Sequence, residues 1–161
     1  MHDTIKDHRS RPTESDISLT LHRVIDAPVA AVYAAWTDAS ILERWFVPSD
    51  AAVARVVADA TVGGQFLIEM RGSDGTKFIV KGLYREVLAH RRLVHTWCWE
   101  GSDLESLVTV EFEPTAAGKT RLTLTHSRFP EDKSRDEHER GWNGCLAKLD
   151  DAVARHTAES I

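Results

Sequence analysis

The sequence predicts an α+β fold in which a curled antiparallel sheet grips a long C-terminal helix, with a pocket between them. Three observations lead there. A strand-like run near the front is followed at once by Ala27 to Pro48, which reads as two short helices closed by an aromatic pair. A series of strand patterns with short polar turns comes next. From about Asp132 onward the pattern changes to one amphipathic helix.

Residues 1–14 are polar and predict a disordered tail ahead of a single domain over 15–161. From Ile17 to Ile25 the apolar residues Ile17, Leu19, Leu21 and Ile25 follow period two, the mark of a half-buried strand. Asp26 then precedes Ala27-Pro28. Its carboxylate can accept backbone N–H bonds while Pro28 starts the first helix with its fixed φ. Val29, Val32, Tyr33 and Trp36 form that helix's apolar face. Asp38 can cap a second helix carrying Ile41, Leu42 and Trp45, and Pro48 discourages its continuation.

Strands follow. Val53 to Val57 precedes Gly63-Gly64, a pair able to take backbone angles closed to other residues. Gln65 to Arg71 sets Phe66, Ile68 and Met70 on one face. Gly72-Ser73-Asp74-Gly75 is a hairpin turn of the Asp-Gly kind. Thr76 to Val87 returns with Phe78, Val80, Gly82 and Tyr84 opposite Lys77, Lys81 and Arg85. Arg92 to Trp99 leads to a turn at Gly101-Ser102-Asp103. Ser106 to Glu113 and Thr120 to Ser127, joined through Ala116-Ala117-Gly118, complete an antiparallel meander. In the last segment His138, Trp142, Cys145, Leu149, Ala152 and His156 share one stripe. A helix from Asp132 to His156 would be ~37 Å long at ~1.5 Å per residue, enough to cross the sheet.

Composition narrows the function classes. The 161 residues suit one domain with a sizeable core. A net charge of −5 leaves no overall basic footprint for nucleic acid and repels anionic membrane surfaces. No apolar run approaches the ~20 residues of a membrane span. The first residues lack the apolar core of a secretory signal. Cys98 and Cys145 lie far apart and read as two buried thiols in a reducing compartment, so the expected location is cytoplasmic.

Several pieces of the chain then match a known family in order. They are Ala27-Pro28 with Val32, Trp36-Thr37-Asp38, and Trp45-Phe46 with Pro48. Val62-Gly63-Gly64-Gln65-Phe66 and Gly82-Leu83-Tyr84-Arg85-Glu86-Val87 follow. Arg92 to Trp97, Thr120 to Leu124, and Gly141-Trp142 with Leu146 and Leu149 complete the set. Over about Ser15 to Ala154 the chain resembles the bacterial single-domain relatives of the activator of the ninety-kilodalton heat-shock-protein ATPase, within the START-like (birch-pollen-allergen-like) superfamily. The resemblance implies a helix-grip fold: a curved antiparallel sheet, two short helices after the first strand, and a long C-terminal helix over a cavity. Members carry lipids, bind hydrophobic small molecules, cyclise polyketides or assist a chaperone. The shared fold does not choose among these, because function lives in the site.

The residues themselves describe a container. Phe66, Met70, Tyr84, His95, Trp97, His126 and Trp142 share the inward phase and form the candidate ligand-binding set. A mostly apolar pocket with a few polar groups is the usual form of a small-molecule site. His95 and His126 stand in apolar patterns. Each suits recognition of a ligand oxygen or proton transfer, and each also suits a core histidine bonded to Tyr84 or backbone. His138 would cap a pocket mouth or be solvated. His95, His126, His138, Cys98 and Cys145 show no zinc-like spacing, so no metal or other cofactor is expected. There is no nucleophile elbow or phosphate loop. Glu69 and Glu111 alternate outward, and the charged segment Arg128 to Arg140 reads as a solvated helix entrance. No residue is assigned a catalytic role. The leading reading is a protein that binds a small hydrophobic or aromatic molecule, without nucleic-acid or membrane partners. One alternative is a cyclase- or dehydratase-type enzyme using His95 or His126. Another is a chaperone-modulating or other interaction protein, and a homodimer is an open form of protein partner.

Overall fold

The alternation in the sequence becomes seven strands in the computed structural model, which describes residues 16–47 and 51–159. The expected tail over 1–14 and the helix-stopping role of Pro48 lie outside the described residues. The order is β1 (Ser18–Ile25), α1 (Val29–Thr37), α2 (Ala39–Trp45), β2 (Ala52–Ala58), β3 (Gln65–Arg71), β4 (Lys77–Leu88), β5 (Arg92–Trp99), β6 (Ser106–Pro114), β7 (Thr120–Ser127) and α3 (Asp132–Glu159). The strands form one antiparallel sheet in the order β1-β7-β6-β5-β4-β3-β2. The chain runs β2 to β7 as a meander, and β1 closes against β7 from Ser18↔Ser127 to Ile25↔Thr120. With two short helices after β1 and α3 packed on the sheet, this is the helix-grip architecture.

The sheet bends where side chains give way. At Gly82 in β4 a Cβ would collide with the carbonyl oxygen of Thr96 on β5. The Thr96 hydroxyl accepts the Leu83 N–H at 2.9 Å there. The β4–β5 register shifts between Tyr84 and Glu86, and such a bulge bends and twists a strand. Gly63 has φ +86, the left-handed region open to glycine, while Gly64 lies against Asp59 with no room for a Cβ. The hairpin at Gly72–Gly75 closes with Gly75 N–H to the Gly72 carbonyl at 2.9 Å and Gly75 at φ +86. That is a three-residue loop ending in a left-handed residue.

The helix starts correct one expectation and meet another. Pro28 itself is the N-cap of α1, in extended backbone and without a side-chain cap bond. Asp26 therefore stands two residues too early to cap, and its backbone N–H goes instead to Asp150 Oδ1 at 3.4 Å. Asp38 does cap α2: its Oδ1 accepts the Ser40 N–H at 2.9 Å and the Ser40 hydroxyl at 2.7 Å. Those bonds hold its carboxyl below the usual carboxylate range.

The concave face buries Val80, Val108, Val110, Leu122 and Leu124. The α3 stripe lies where the periodicity sets it, with Trp142, Cys145, Leu149 and Ala152 buried, Leu146 and Val153 widening it, and His138 and His156 half-buried. Phe78 departs from its expected inward position and is 48% exposed. It sits one residue into β4 at the hairpin end, whereas Val80 and Tyr84 further along the same face are covered. Both cysteines are free thiols. Cys145 is buried as expected, but Cys98 is only half-buried because it alternates away from the inner face.

Candidate functional site

Beneath the first half of α3 the core leaves a cavity of about 270 Å³. Strand alternation brings Trp97 and Trp99 of β5 to its wall, and β3 supplies Met70. Phe46, just past the end of α2, adds another ring. From α3 come Glu137, His138, Gly141, Trp142 and Cys145, a spacing that keeps them on one helix face. The lining is almost wholly apolar. Phe46, Met70, Trp97, Trp142 and Cys145 are buried while Glu137 is exposed, so Glu137 marks the mouth.

Of the seven residues expected at a ligand site, Met70, Trp97 and Trp142 line this cavity. Phe66, Tyr84, His95 and His126 are packed behind it. Phe66 stacks on His95 with ring centroids 4.1 Å apart. Tyr84 meets the same His95 edge-on at 5.6 Å. His126 backs the Trp97 ring at 5.3 Å. Most of the remaining lining residues had partial signals. Trp99 is in phase with Trp97, His138 and Cys145 are on the helix stripe, and Phe46 belongs to the aromatic pair that closes the second helix. Glu137 had none, since it sits in a charged run, and Gly141, which carries no side chain, was marked only by the Gly141-Trp142 family piece.

Two histidines, His138 and His126, hold the polar tips around the cavity, and a third, His95, lies behind it. His138 Nε2 accepts the indole N–H of Trp99 at 2.9 Å and that of Trp97 at 3.3 Å. Its Nδ1–H donates to the Ser134 carbonyl at 2.8 Å, one turn earlier in α3. These partners define the neutral tautomer with the proton on Nδ1. His126 holds the opposite tautomer. Its Nδ1 accepts the Trp142 indole N–H at 3.0 Å, so its Nε2–H donates to Ser106 Oγ at 2.7 Å. His95 donates from Nδ1 to the Thr96 carbonyl at 2.8 Å. Burial lowers the pKa of all three, to about 4 for His95 and well below the ordinary value for His126. At His138 the Ser134 bond and the Glu137 charge oppose the shift without reversing it. Burial pushes the Cys145 thiol up to about 12, so it stays protonated.

The chemistry available follows from these bonds. His138 is the one imidazole that lines the cavity among the described residues, and both its nitrogens are engaged. The three indole N–H groups are engaged as well. Behind Trp97, Trp99 and His138 lies a second chamber of about 110 Å³, bordered by Leu104, Ser106, Arg128 and Phe129. The bonded trio is thus a partition between two spaces. No three His, Cys, Asp or Glu side chains among the described residues are placed to hold a metal ion.

Comparison with known proteins agrees with this architecture. The family model described as Activator of Hsp90 ATPase homolog 1-like protein matches residues 26–154. No curated protein matches the chain significantly. Among solved structures, the AHSA1 protein of Silicibacter pomeroyi is 27% identical over 87% of this chain and 99% of its own, with a TM-score of 0.78. A Chromobacterium violaceum protein is 27% identical over 84% of this chain and 96% of its own, at 0.77. A Nitrosomonas europaea protein is 25% identical over 90% of this chain and 99% of its own, also at 0.77. With a match that runs from the end of β1 almost to the end of α3, the chain belongs to the Activator of Hsp90 ATPase homolog 1-like protein family.

Proposed function

We propose that this protein binds a small hydrophobic or aromatic molecule in the cavity under the first half of α3. One observation carries the reading: a cavity of about 270 Å³ has apolar walls whose polar tips are already hydrogen-bonded. A void of roughly 150 Å³ in another protein takes up benzene, so this space suits a guest of one or two rings. Buried apolar surface then supplies the affinity, at about 25 cal/mol per Å² before the costs of association. Turnover needs more than this site offers. A general base must stand ~2.6–3.2 Å from the proton it takes, with a lone pair free. The His138 lone pair is already shared by two indoles, and His95 and His126 stand outside the lining. Binding is therefore favoured over a cyclase- or dehydratase-type activity. No described helix is long and apolar enough to cross a membrane, and the free thiols suit a reducing compartment; we assign the protein to the cytoplasm.

The neutral fluorescent probe 1-naphthylamine tests this. It is expected to bind saturably and stoichiometrically, with quenching of tryptophan emission. Gly141→Leu and Cys145→Leu, which add bulk to the lining, should abolish binding while circular dichroism shows the fold retained. Absence of binding by the wild type, or binding unaffected in both folded variants, would overturn the proposal.

A further inference from the structure

Resting on the binding proposal above, the charge arrangement around the cavity specifies its guest further. We infer that the cavity selects a guest carrying a positive charge, an aromatic or aliphatic ammonium, and rejects carboxylates.

A carboxylate would meet a wall poor in donors. A buried anion needs donors, because an ion taken out of water without partners costs several kcal/mol. The N–H groups of Trp97, Trp99 and Trp142 are all bonded to imidazole nitrogens. The His138 N–H is bonded to Ser134. The Cys145 thiol is a weak donor. None of the lining residues is a lysine or an arginine. An anionic guest would thus enter a wall without a free strong donor.

A cation meets the reverse. Phe46, Trp97, Trp99 and Trp142 surround the space as walls and not as a stack. Trp97 and Trp99 stand at 89°, Phe46 and Trp142 at 80°, and Trp97 and Trp142 at 43°. Aromatic faces carry negative quadrupole charge and attract ammonium groups, more strongly when water is excluded. Glu137 is the one ionised side chain of the lining, and it stands at the mouth. Its helix neighbours Lys133 and Arg140 form no salt bridge with it among the described residues, and Arg135, the next basic residue of the same turn, pairs instead with Asp132 and Asp136. Glu137 is therefore available to face a guest cation. Rings inside and a carboxylate at the rim make an aromatic cage with one counter-charge.

The test is competition against bound 1-naphthylamine at pH 7.5 by three molecules of similar size: benzyltrimethylammonium, its neutral isostere neopentylbenzene, and 3-phenylpropionate. Wild type should bind the cation at least tenfold more tightly than the anion. Glu137→Gln should weaken the cation about threefold and leave the neutral isostere unchanged. An anion that binds as well as the cation overturns the inference. So does failure of the cation to compete when 1-naphthylamine itself binds. Cation affinity unchanged in Glu137→Gln removes the role assigned to that carboxylate and overturns the inference as stated. If 1-naphthylamine also fails to bind, the fault lies with the binding proposal itself.

Discussion

The two halves of α3 meet the rest of the core in different ways. The second half presents Leu146, Leu149, Ala152 and Val153, all buried in one cluster with aliphatic residues such as Val32, Ile41 and Leu42. It packs beside α1 and α2. Such side chains interdigitate freely and fill space to crystal-like density. The first half meets rings held by directional hydrogen bonds: Trp97 and Trp99 on His138, Trp142 on His126, and His126 on Ser106. Here the cavity lies. The difference shows what keeps a space open inside a packed protein. Rings tethered at their polar tips cannot slide inward without breaking bonds that are costly to lose when buried. Gly141 lines the space without a side chain to occupy it.

The largest effect is expected at Trp97. If its ring is a rigid wall, Trp97→Ala should cost ~3–5 kcal/mol in urea unfolding, the range for aromatic truncations at sites that do not collapse. A loss below about 1 kcal/mol would show that the surroundings relax, and the rigid wall would be refuted.

Acid should act through the same ring-rich region. His95 has a folded pKa near 4, below its ordinary 6.5. The unfolded chain therefore takes up a proton at a pH where the native state does not. Stability is full above pH 6.5, falls as the pH drops, and has lost roughly 3 kcal/mol from this group by pH 4. His126 and His138 shift in the same direction and add to the loss. Urea midpoints measured from pH 7.5 to pH 4 check this, and a flat profile would contradict the buried neutral imidazoles.

A smaller effect isolates the partition. His138→Phe keeps a ring but leaves two indole N–H groups without their acceptor, at a cost of about 1–3 kcal/mol. Tryptophan emission should shift as Trp97 and Trp99 lose that bond. An unchanged spectrum with unchanged stability would mean that His138 holds neither indole.

The smallest effect has the opposite sign. Gly141→Ala should raise stability by about 0.5–1 kcal/mol, since glycine in a helix interior is destabilising relative to alanine. It should also weaken 1-naphthylamine binding. Gain of stability without loss of binding would separate Gly141 from the cavity.

Much of the fold was legible because it rests on local periodicity. Period two set the inward phase of β3 and β5, and the intervals of three and four placed Trp142 and Leu149 against the sheet. The family pieces from Ala27 to Leu149 fall in the same order as the elements read from that periodicity. The cavity was legible only in part, because a void is a relation between distant side chains and not a property of any one. Phe66 and Met70 share a face of β3, yet Phe66 stacks on His95 while Met70 borders open space. His126 read as either a ligand-facing imidazole or a bonded core histidine, and its actual partners, Ser106 on β6 and Trp142 on α3, lie on other elements that its own strand pattern does not name. Phe78 had the right phase but lies at a strand end, where phase no longer implies cover. Gly141 shapes the space by lacking a side chain, and no pattern of side chains can report that.

The most direct test of the central claim is an anomalous-scattering crystal structure of the protein with 1-bromonaphthalene. A bromine peak is expected within the cavity bounded by Met70, Trp97, Trp99 and Trp142, with the Trp–His138 bonds intact. Bromine found only at the surface, or a cavity already closed by its own side chains, would contradict it.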